Sequence, residues 1–172
     1  LLGSGAQAVD AASEGAISAV LKHGDISGKP GETLILQTLK GCPAKRIVLT
    51  GFGKHSETSD SQFRKAIAAA FAAVKGTVAK DATLDLAELV VKNRDAAWMA
   101  RQIVELGEAA TYTFDHYKSK DNQKKIHFAK TTLCVADKAS EKEIAAAVAT
   151  GKAIAAGMSY TKDLGNLPPN VC

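Results

Sequence analysis

The sequence predicts an α/β fold in which strands and helices alternate along a chain of 172 residues. Short aliphatic runs, which are typical of buried strands, recur between longer alanine-rich stretches whose apolar residues repeat at helical spacing. The length fits one compact domain, and a hydrophobic content of 46% is sufficient to build its core. Strands that alternate with helices predict a mostly parallel or mixed sheet.

The first third of the chain predicts one helix followed by two strands. Apolar residues at helical spacing indicate a helix over residues 10–23, and Gly24 suits the left-handed position that commonly follows a helix. Turn residues 28–31 precede the aliphatic run 33–36, which predicts a strand. The run Arg46–Thr50 is almost continuously aliphatic, so we expect a central strand that is buried on both faces.

The middle of the chain predicts a helix, a strand and a second helix. Ser59 and Asp60 can cap an alanine-rich helix. Its core candidates repeat at i+3 and i+4 steps and are Phe63, Ile67, Phe71 and Val74. Residues 84–91 predict a strand, although their Ala and Glu content leaves a helix open. Asp95 can cap a long helix that ends near Phe114. The core candidates of this helix are Trp98, Ile103, Leu106 and Ala110.

The last part of the chain predicts a strand and a long helix. A charged loop over residues 118–125 leads to the strand candidate 131–135. Ser140 and Glu143 have the S-x-x-E spacing of a capping box, which marks the beginning of the helix. The prolines after residue 167 end this helix, because proline cannot continue it. Its apolar residues are Ile144, Val148, Ile154 and Met158.

Composition restricts the classes of protein that the chain can represent. No apolar run reaches the roughly 18 to 20 residues of a membrane-spanning helix. Residues 1–5 lack the features of a signal peptide, so we expect the beginning of a fragment rather than an export signal. Three widely spaced cysteines, without any C-x-x-C motif, argue against a disulfide framework and a zinc site. We therefore expect a cytoplasmic protein without membrane contact.

No residue set predicts a catalytic, cofactor-binding or metal-binding site. Gly51 and Gly53 follow a strand, as in a phosphate loop, but Ser56 occupies the position of the third glycine, so a turn is expected. The four histidines are not paired at i+3 or i+4, the spacings that place two metal ligands on one helix face. They are His23, His55, His116 and His127. Neither G-x-S-x-G nor H-E-x-x-H occurs. The nearest carboxylate group is explained by surface solvation and consists of Asp81, Asp85 and Glu88.

One segment is a candidate surface for nucleic acid. Its lysines could neutralise phosphates and its rings could stack on bases. The residues are Lys118, Lys120, Lys124, Lys125 and Lys130 with Tyr117, His127 and Phe128. The formal net charge of +4 permits such contact, although Asp121 dilutes the cluster. A solvated loop is the simpler interpretation, and DNA binding stays the alternative.

Three segments together resemble the leucyl aminopeptidase family, in its bacterial aminopeptidase A type. They occur in the family's order and read GDISGKPGET at 24–33, RIVLTGFGK at 46–54 and KDLGNLPPNVC at 162–172. The last segment is the most specific. A helix that ends in D-L-x-N-x-P-P-N is a hallmark of the junction between the family's two domains. The resemblance extends from about Asp10 to Cys172.

The resemblance implies that the chain is the non-catalytic N-terminal domain of a two-metal leucyl aminopeptidase, which releases N-terminal amino acids from peptides. It implies a macro-domain-like mixed sheet flanked by helices on both faces over residues 1–139. An interdomain helix and the start of a linker to the missing catalytic domain would then occupy residues 140–172. A macro-like domain also leaves open the alternative of a module that binds DNA or a nucleotide such as ADP-ribose.

The resemblance also implies where the chemistry of the family resides. Family members are homohexamers that act on peptides with two divalent metal ions, Mn or Zn. The metal ligands and catalytic residues belong to the C-terminal domain, so none is transferred onto this sequence. We expect residues 1–172 alone to be inactive and to bind no metal ion.

Overall fold

The computed structural model describes residues 2–53, 58–119, 127–135, 141–168 and 170. Its helices are α1 (Ser4–Ala12), α2 (Ala16–His23), α3 (Asp60–Lys75), α4 (Ala96–Thr111) and α5 (Glu141–Asn166). Its strands are β1 (Thr33–Gln37), β2 (Arg46–Thr50), β3 (Asp81–Asp85) and β4 (Lys130–Cys134). The predicted α/β class is confirmed.

The strands form two separate pairs within the described residues. Strands β1 and β2 are antiparallel, with Thr33 opposite Thr50, whereas β3 and β4 are parallel, with Asp81 opposite Lys130. The prediction that β2 is a central strand buried on both faces is wrong. Each residue of β2 is half-buried, because this strand forms a hairpin with β1 that packs against α3.

The predicted helix over residues 10–23 is two helices. Glu14 and Gly15 adopt φ angles of 58° and 88°, which end α1 and turn the chain before α2. Asp10 then caps α2 from outside, because its carboxylate accepts hydrogen bonds from the hydroxyl and the N–H of Ser18. These bonds, the hydroxyl first, lower the pKa of Asp10 below its ordinary value.

The predicted strand over residues 84–91 is also wrong in its extent. Strand β3 begins at Asp81 and ends at Asp85, and the chain then turns, with the Leu89 N–H donating to the Leu86 carbonyl. Leu86 and Val91 are buried in the core although neither lies in a strand. The apolar run therefore fills the core from a loop, which periodicity alone does not distinguish from a strand.

Helices α3 and α4 begin where the sequence predicts. The Ser59 side chain accepts the Gln62 N–H and the Gln62 side chain accepts the Ser59 N–H, which forms a capping box at α3. Asp95 accepts the Trp98 N–H at 2.7 Å and caps α4. Between these helices and the β3–β4 pair lies the main hydrophobic core, Phe63, Ile67, Phe71, Leu86, Val91, Met99 and Ile103.

Helix α5 packs against α4, but not through all of the predicted apolar residues. Ile154 and Met158 are 40% and 43% exposed, whereas Gly151 and Ala155 are buried. Small residues are buried here because the two helix backbones approach closely. The predicted capping residue Ser140 lies outside the described residues. Among the helices of the described ranges, none has the length and apolar character needed to cross a membrane.

Candidate interdomain junction

The C-terminal ends of α4 and α5 meet around one tyrosine. Tyr112 is the C-cap residue of α4. Its hydroxyl donates a hydrogen bond to Asp163 Oδ1 at 2.8 Å and accepts one from Asn166 Nδ2 at 3.2 Å. Lys162 Nζ lies 4.9 Å from the centroid of the same ring, within cation–π distance. Three polar residues of the K-D-L-x-N segment therefore converge on a single side chain, and together these four residues form the junction cluster.

The surroundings of Tyr112 in the junction cluster favour its protonated form. Burial, followed by the hydrogen bond donated to Asp163, raises the pKa of Tyr112 above its ordinary value. A protonated hydroxyl is the form that can donate to the Asp163 carboxylate while accepting from the Asn166 amide. The end of α5 is thus held in a defined position on α4, a few residues before Pro168.

Removal of the Tyr112 hydroxyl tests this contact. We expect Tyr112→Phe to lower the urea midpoint of unfolding and to accelerate amide exchange in the last two turns of α5, because Asp163 and Asn166 lose their shared partner. Tyr160→Phe is the matched control, since Tyr160 is 65% exposed. Equal exchange in both variants would show that the junction cluster does not hold the helix end.

Close packing of α4 and α5 supports the junction cluster from the middle of α5. A Cβ atom added at Gly151 would lie 3.0 Å from the Arg101 carbonyl oxygen and 3.0 Å from Val104 Cβ. A side chain here would require Arg101 or Val104 to move by a few tenths of an ångström, so glycine suits this separation of the helices. Sequence reasoning missed this contact, although the four-residue spacing of Gly151 and Ala155 signals a close-packed helix face. No comparable signal marks Tyr112.

The glycine segment tested as a phosphate loop is occupied by the protein's own backbone. The Gly51 N–H donates to the Glu32 carbonyl at 2.8 Å, and the Gly53 N–H donates to the Gly28 carbonyl at 2.9 Å. A phosphate loop requires backbone amides that are free to bind an anion, and these two amides are already hydrogen-bonded. Residues 54–57 lie outside the described residues.

The histidines and carboxylates that the structure describes are not gathered into one site. His23, His116 and His127 are exposed, and His55 lies outside the described residues. Among the residues that the structure describes, no three His, Cys, Asp or Glu side chains are placed to hold a metal ion. Glu88 accepts the backbone N–H of Ser4 at 2.8 Å. Of the three predicted carboxylates, Asp81 and Asp85 therefore lie in β3, whereas Glu88 contacts the beginning of α1.

The candidate nucleic-acid surface is only partly described and partly buried. Phe128 packs on Phe71, with ring centroids 6.0 Å apart, so its ring belongs to the edge of the core rather than to a stacking surface. Lys118 forms an ion pair with Asp115. Three lysines of the cluster lie outside the described residues, namely Lys120, Lys124 and Lys125.

An open groove beside the beginning of α3 was not predicted from the sequence. It is lined by Ser59, Asp60, Ser61, Lys92, Asn93 and Arg94. Arg94 Nε lies 3.0 Å from each carboxylate oxygen of Asp60, and the guanidinium lies 5.0 Å from the centroid of the Trp98 ring. The hydrogen bonds from Arg94 lower the pKa of Asp60. Because Arg94 and Asp60 neutralise each other, neither side chain of this pair is free to bind a charged ligand in the groove.

The fold is an α/β domain whose last helix is anchored on Tyr112 of α4 by three residues of the K-D-L-x-N segment. The sequence model of the cytosol aminopeptidase family, N-terminal domain, matches residues 1–121. The chain therefore belongs to the cytosol aminopeptidase family and corresponds to its N-terminal domain. The family resemblance inferred from three short segments is confirmed.

Relatives match nearly the whole chain but are much longer. The cytosol aminopeptidase of Pseudomonas aeruginosa is 48% identical over 171 residues, which cover 99% of this chain and 34% of the relative. The probable cytosol aminopeptidase of Azotobacter vinelandii is 46% identical over the same shares. The chain thus spans about a third of the length of the curated relatives that it matches.

Two solved structures have similar folds. A tomato leucine aminopeptidase mutant superposes with a TM-score of 0.76 at 20% identity, over 98% of this chain and 32% of that chain. The bottromycin maturation enzyme in complex with Mn superposes with a TM-score of 0.66 at 26% identity, over 88% of this chain and 29% of that chain. Neither these comparisons nor the geometry supports the alternative of a DNA- or nucleotide-binding module.

Proposed function

We propose that residues 1–172 are the non-catalytic third of a two-metal leucyl aminopeptidase that releases N-terminal amino acids from peptides. One observation supports this proposal most strongly. The chain matches cytosol aminopeptidases over 99% of its own length while covering only 34% of theirs, and it matches the family's N-terminal domain. The role of the chain is then to support and assemble a catalytic part that lies outside it.

The donor chemistry of the described residues does not fit a catalytic metal centre. Three or four protein ligands are needed to hold such an ion, and the described residues contain no such group. One fold neighbour, the bottromycin maturation enzyme, is in complex with Mn. We therefore assign the two divalent ions, Mn or Zn, to the part of the parent enzyme that this chain lacks.

The proposed domain layout has two parts. Residues 1–139 form a macro-like α/β domain with a mixed sheet flanked by helices on both faces, and residues 140–172 form an interdomain helix and the start of a linker. The described strands form one antiparallel and one parallel pair in two separate small sheets, so their union in a single mixed sheet is part of this proposal. The resemblance of the segment at the end of α5 to the family's domain junction supports the interdomain role of this helix.

The proposed assembly is a homohexamer in the cytoplasm that acts on peptide substrates. The family resemblance supports the hexamer, and the description of the relatives as cytosol aminopeptidases supports the location. Gel filtration with light scattering on a polypeptide of the relatives' length would measure the assembly directly. A monomer at micromolar concentration would overturn the hexamer.

An activity assay tests the proposed function. We expect residues 1–172 to give no turnover of a leucine chromogenic amide with added Mn, because the described chain lacks a ligand set for the metal. A polypeptide extended to the relatives' length should turn over the amide and lose activity in a chelator. Turnover by residues 1–172 above the chelated background would contradict the proposal, as would an inactive, folded, metal-loaded longer polypeptide.

A further inference from the structure

Helix α5 presents a long uncharged face to solvent. Between Glu143 and Lys162 the helix contains one charged residue, Lys152. Eight large apolar or aromatic side chains are exposed in the described part of the chain, and four of them lie on α5. These four are Ile154 at 40%, Met158 at 43%, Tyr160 at 65% and Leu164 at 41% exposure. We call them the α5 face.

The α5 face is separate from the contact that α5 makes with α4. That contact includes the buried Gly151, which lies against Arg101 and Val104 of α4, and the three α5 residues of the junction cluster. At about 100° per residue, the α5 face occupies a sector of roughly 160° that lies mostly on the other side of the helix. Between Glu143 and Lys162, the remaining exposed positions of this sector are uncharged, namely Ala146, Thr150, Ala153, Gly157 and Thr161.

Such a composition indicates a missing partner. A surface helix that packs on one neighbour normally has charged or polar residues on its opposite face. In α5, the four turns before Lys162 contain one charged residue, Lys152, on any side of the helix. Exposed apolar patches of this kind mark interaction sites in soluble proteins.

We propose that the α5 face is covered by the catalytic part of the same polypeptide, and this inference rests on the proposed function. The family's N-terminal-domain model ends at residue 121, so α5 lies between the matched domain and the two-thirds of the relatives that this chain does not cover. The α5 face therefore lies in the segment that connects the N-terminal domain to the rest of the family's polypeptide.

Tethering favours this partner over a second copy of the chain. The junction cluster fixes the end of α5 on α4, and Leu164 lies four residues before Pro168, where the helix has ended. A segment that follows within a few residues encounters the α5 face at an effective concentration in the millimolar range. A separate molecule has to pay the full translational entropy of association instead.

Oxidative footprinting tests the proposal with an internal control. The chain has two methionines, Met158, which is 43% exposed, and Met99, which is 7% exposed. In residues 1–172, peroxide should oxidise Met158 much faster than Met99. In the longer polypeptide we expect Met158 oxidation to slow by about tenfold, because its thioether becomes buried. Hydroxyl-radical labelling of Tyr160 should fall in parallel, whereas Tyr117, which is 59% exposed, should be unchanged.

Paired charge substitutions extend the test. Met158→Glu should restore Tyr160 labelling in the longer polypeptide toward the level in residues 1–172, because a buried unpaired carboxylate prevents docking. Val78→Glu is the matched control at a site that is 64% exposed and outside α5, and it should leave Tyr160 protected.

Two outcomes would overturn the proposal. Equal Met158 oxidation in the short and long polypeptides would show that the catalytic part does not cover the α5 face. Protection of Met158 in residues 1–172 that increases with protein concentration would assign the face to a second copy. The amidase assay on the same samples is independent, so an active longer polypeptide with an unprotected Met158 refutes the surface and not the proposed function.

Discussion

Replacement of Phe63 by alanine is expected to lower the free energy of unfolding by about 3–5 kcal/mol, the range for large-to-small substitution of a buried aromatic residue. Phe63 is 0% exposed. Its ring centroid lies 5.4 Å from that of Trp98 and 6.1 Å from that of Phe52. The truncation therefore leaves a cavity and also removes two tilted aromatic contacts, each worth about 0.5–1.5 kcal/mol.

Urea denaturation followed by Trp98 fluorescence measures this effect, since Trp98 is the single tryptophan and contacts Phe63. Domains of this size are stable by about 5–15 kcal/mol, so the variant should lose a large part of its stability. Val78→Ala is the control, because Val78 is 64% exposed, and its effect should stay within about 0.5 kcal/mol. A loss below about 1 kcal/mol for Phe63→Ala would mean that α3 and α4 do not enclose this ring.

The position of Phe63 in the core was predictable because local signals agreed there. Ser59 marks the beginning of α3 and Asp95 that of α4, and both caps act within a few residues of the chain. The apolar spacing after each cap then determines which face is buried. Phe63, Ile67 and Phe71 are all in the core as the spacing predicts.

The errors occurred where tertiary contacts decided the outcome. The apolar run over residues 84–91 predicts a strand, but Leu86 and Val91 reach the core from the loop that follows β3. The aliphatic run of β2 suggested burial on both faces, but the strand pairs with β1 and is half-buried throughout. Aliphatic composition predicts that a segment is buried, but it does not specify which neighbouring element covers the segment.

The sequence motif at the candidate junction could be recognised in advance, but its contact with Tyr112 could not. The D-L-x-N-x-P-P-N segment contributed to the family resemblance and predicts a domain connection at the end of α5. Its anchor, Tyr112, lies 51 residues before Asp163, and the intervening chain carries no pattern that relates the two. Long-range pairs of this kind depend on the packing of α4 against α5, which in turn depends on Gly151.

Replacement of Gly151 by leucine is expected to lower the free energy of unfolding by about 1–3 kcal/mol, the usual cost of forcing a side chain into a filled contact. The first added carbon already lies 3.0 Å from the Arg101 carbonyl oxygen, and this backbone atom cannot rotate away. Helix α5 must therefore shift from α4. We expect amide exchange to accelerate along α5 and the hydrogen bonds of Tyr112 to be lost as well.

Gly157→Leu separates the contact from the helix propensity of glycine. Both glycines lie inside α5, but a Cβ atom at Gly157 meets no atom within 4 Å. In residues 1–172 this variant should gain up to about 1 kcal/mol, because leucine favours a helix more than glycine does. The free energies of unfolding of the two variants should thus differ by about 1–4 kcal/mol, with Gly151→Leu below the unmodified chain and Gly157→Leu above it. If Gly151→Leu were instead as stable as Gly157→Leu, α4 and α5 would not approach closely in solution. In that case the anchoring of α5 by Tyr112 and the placement of the α5 face would both be wrong.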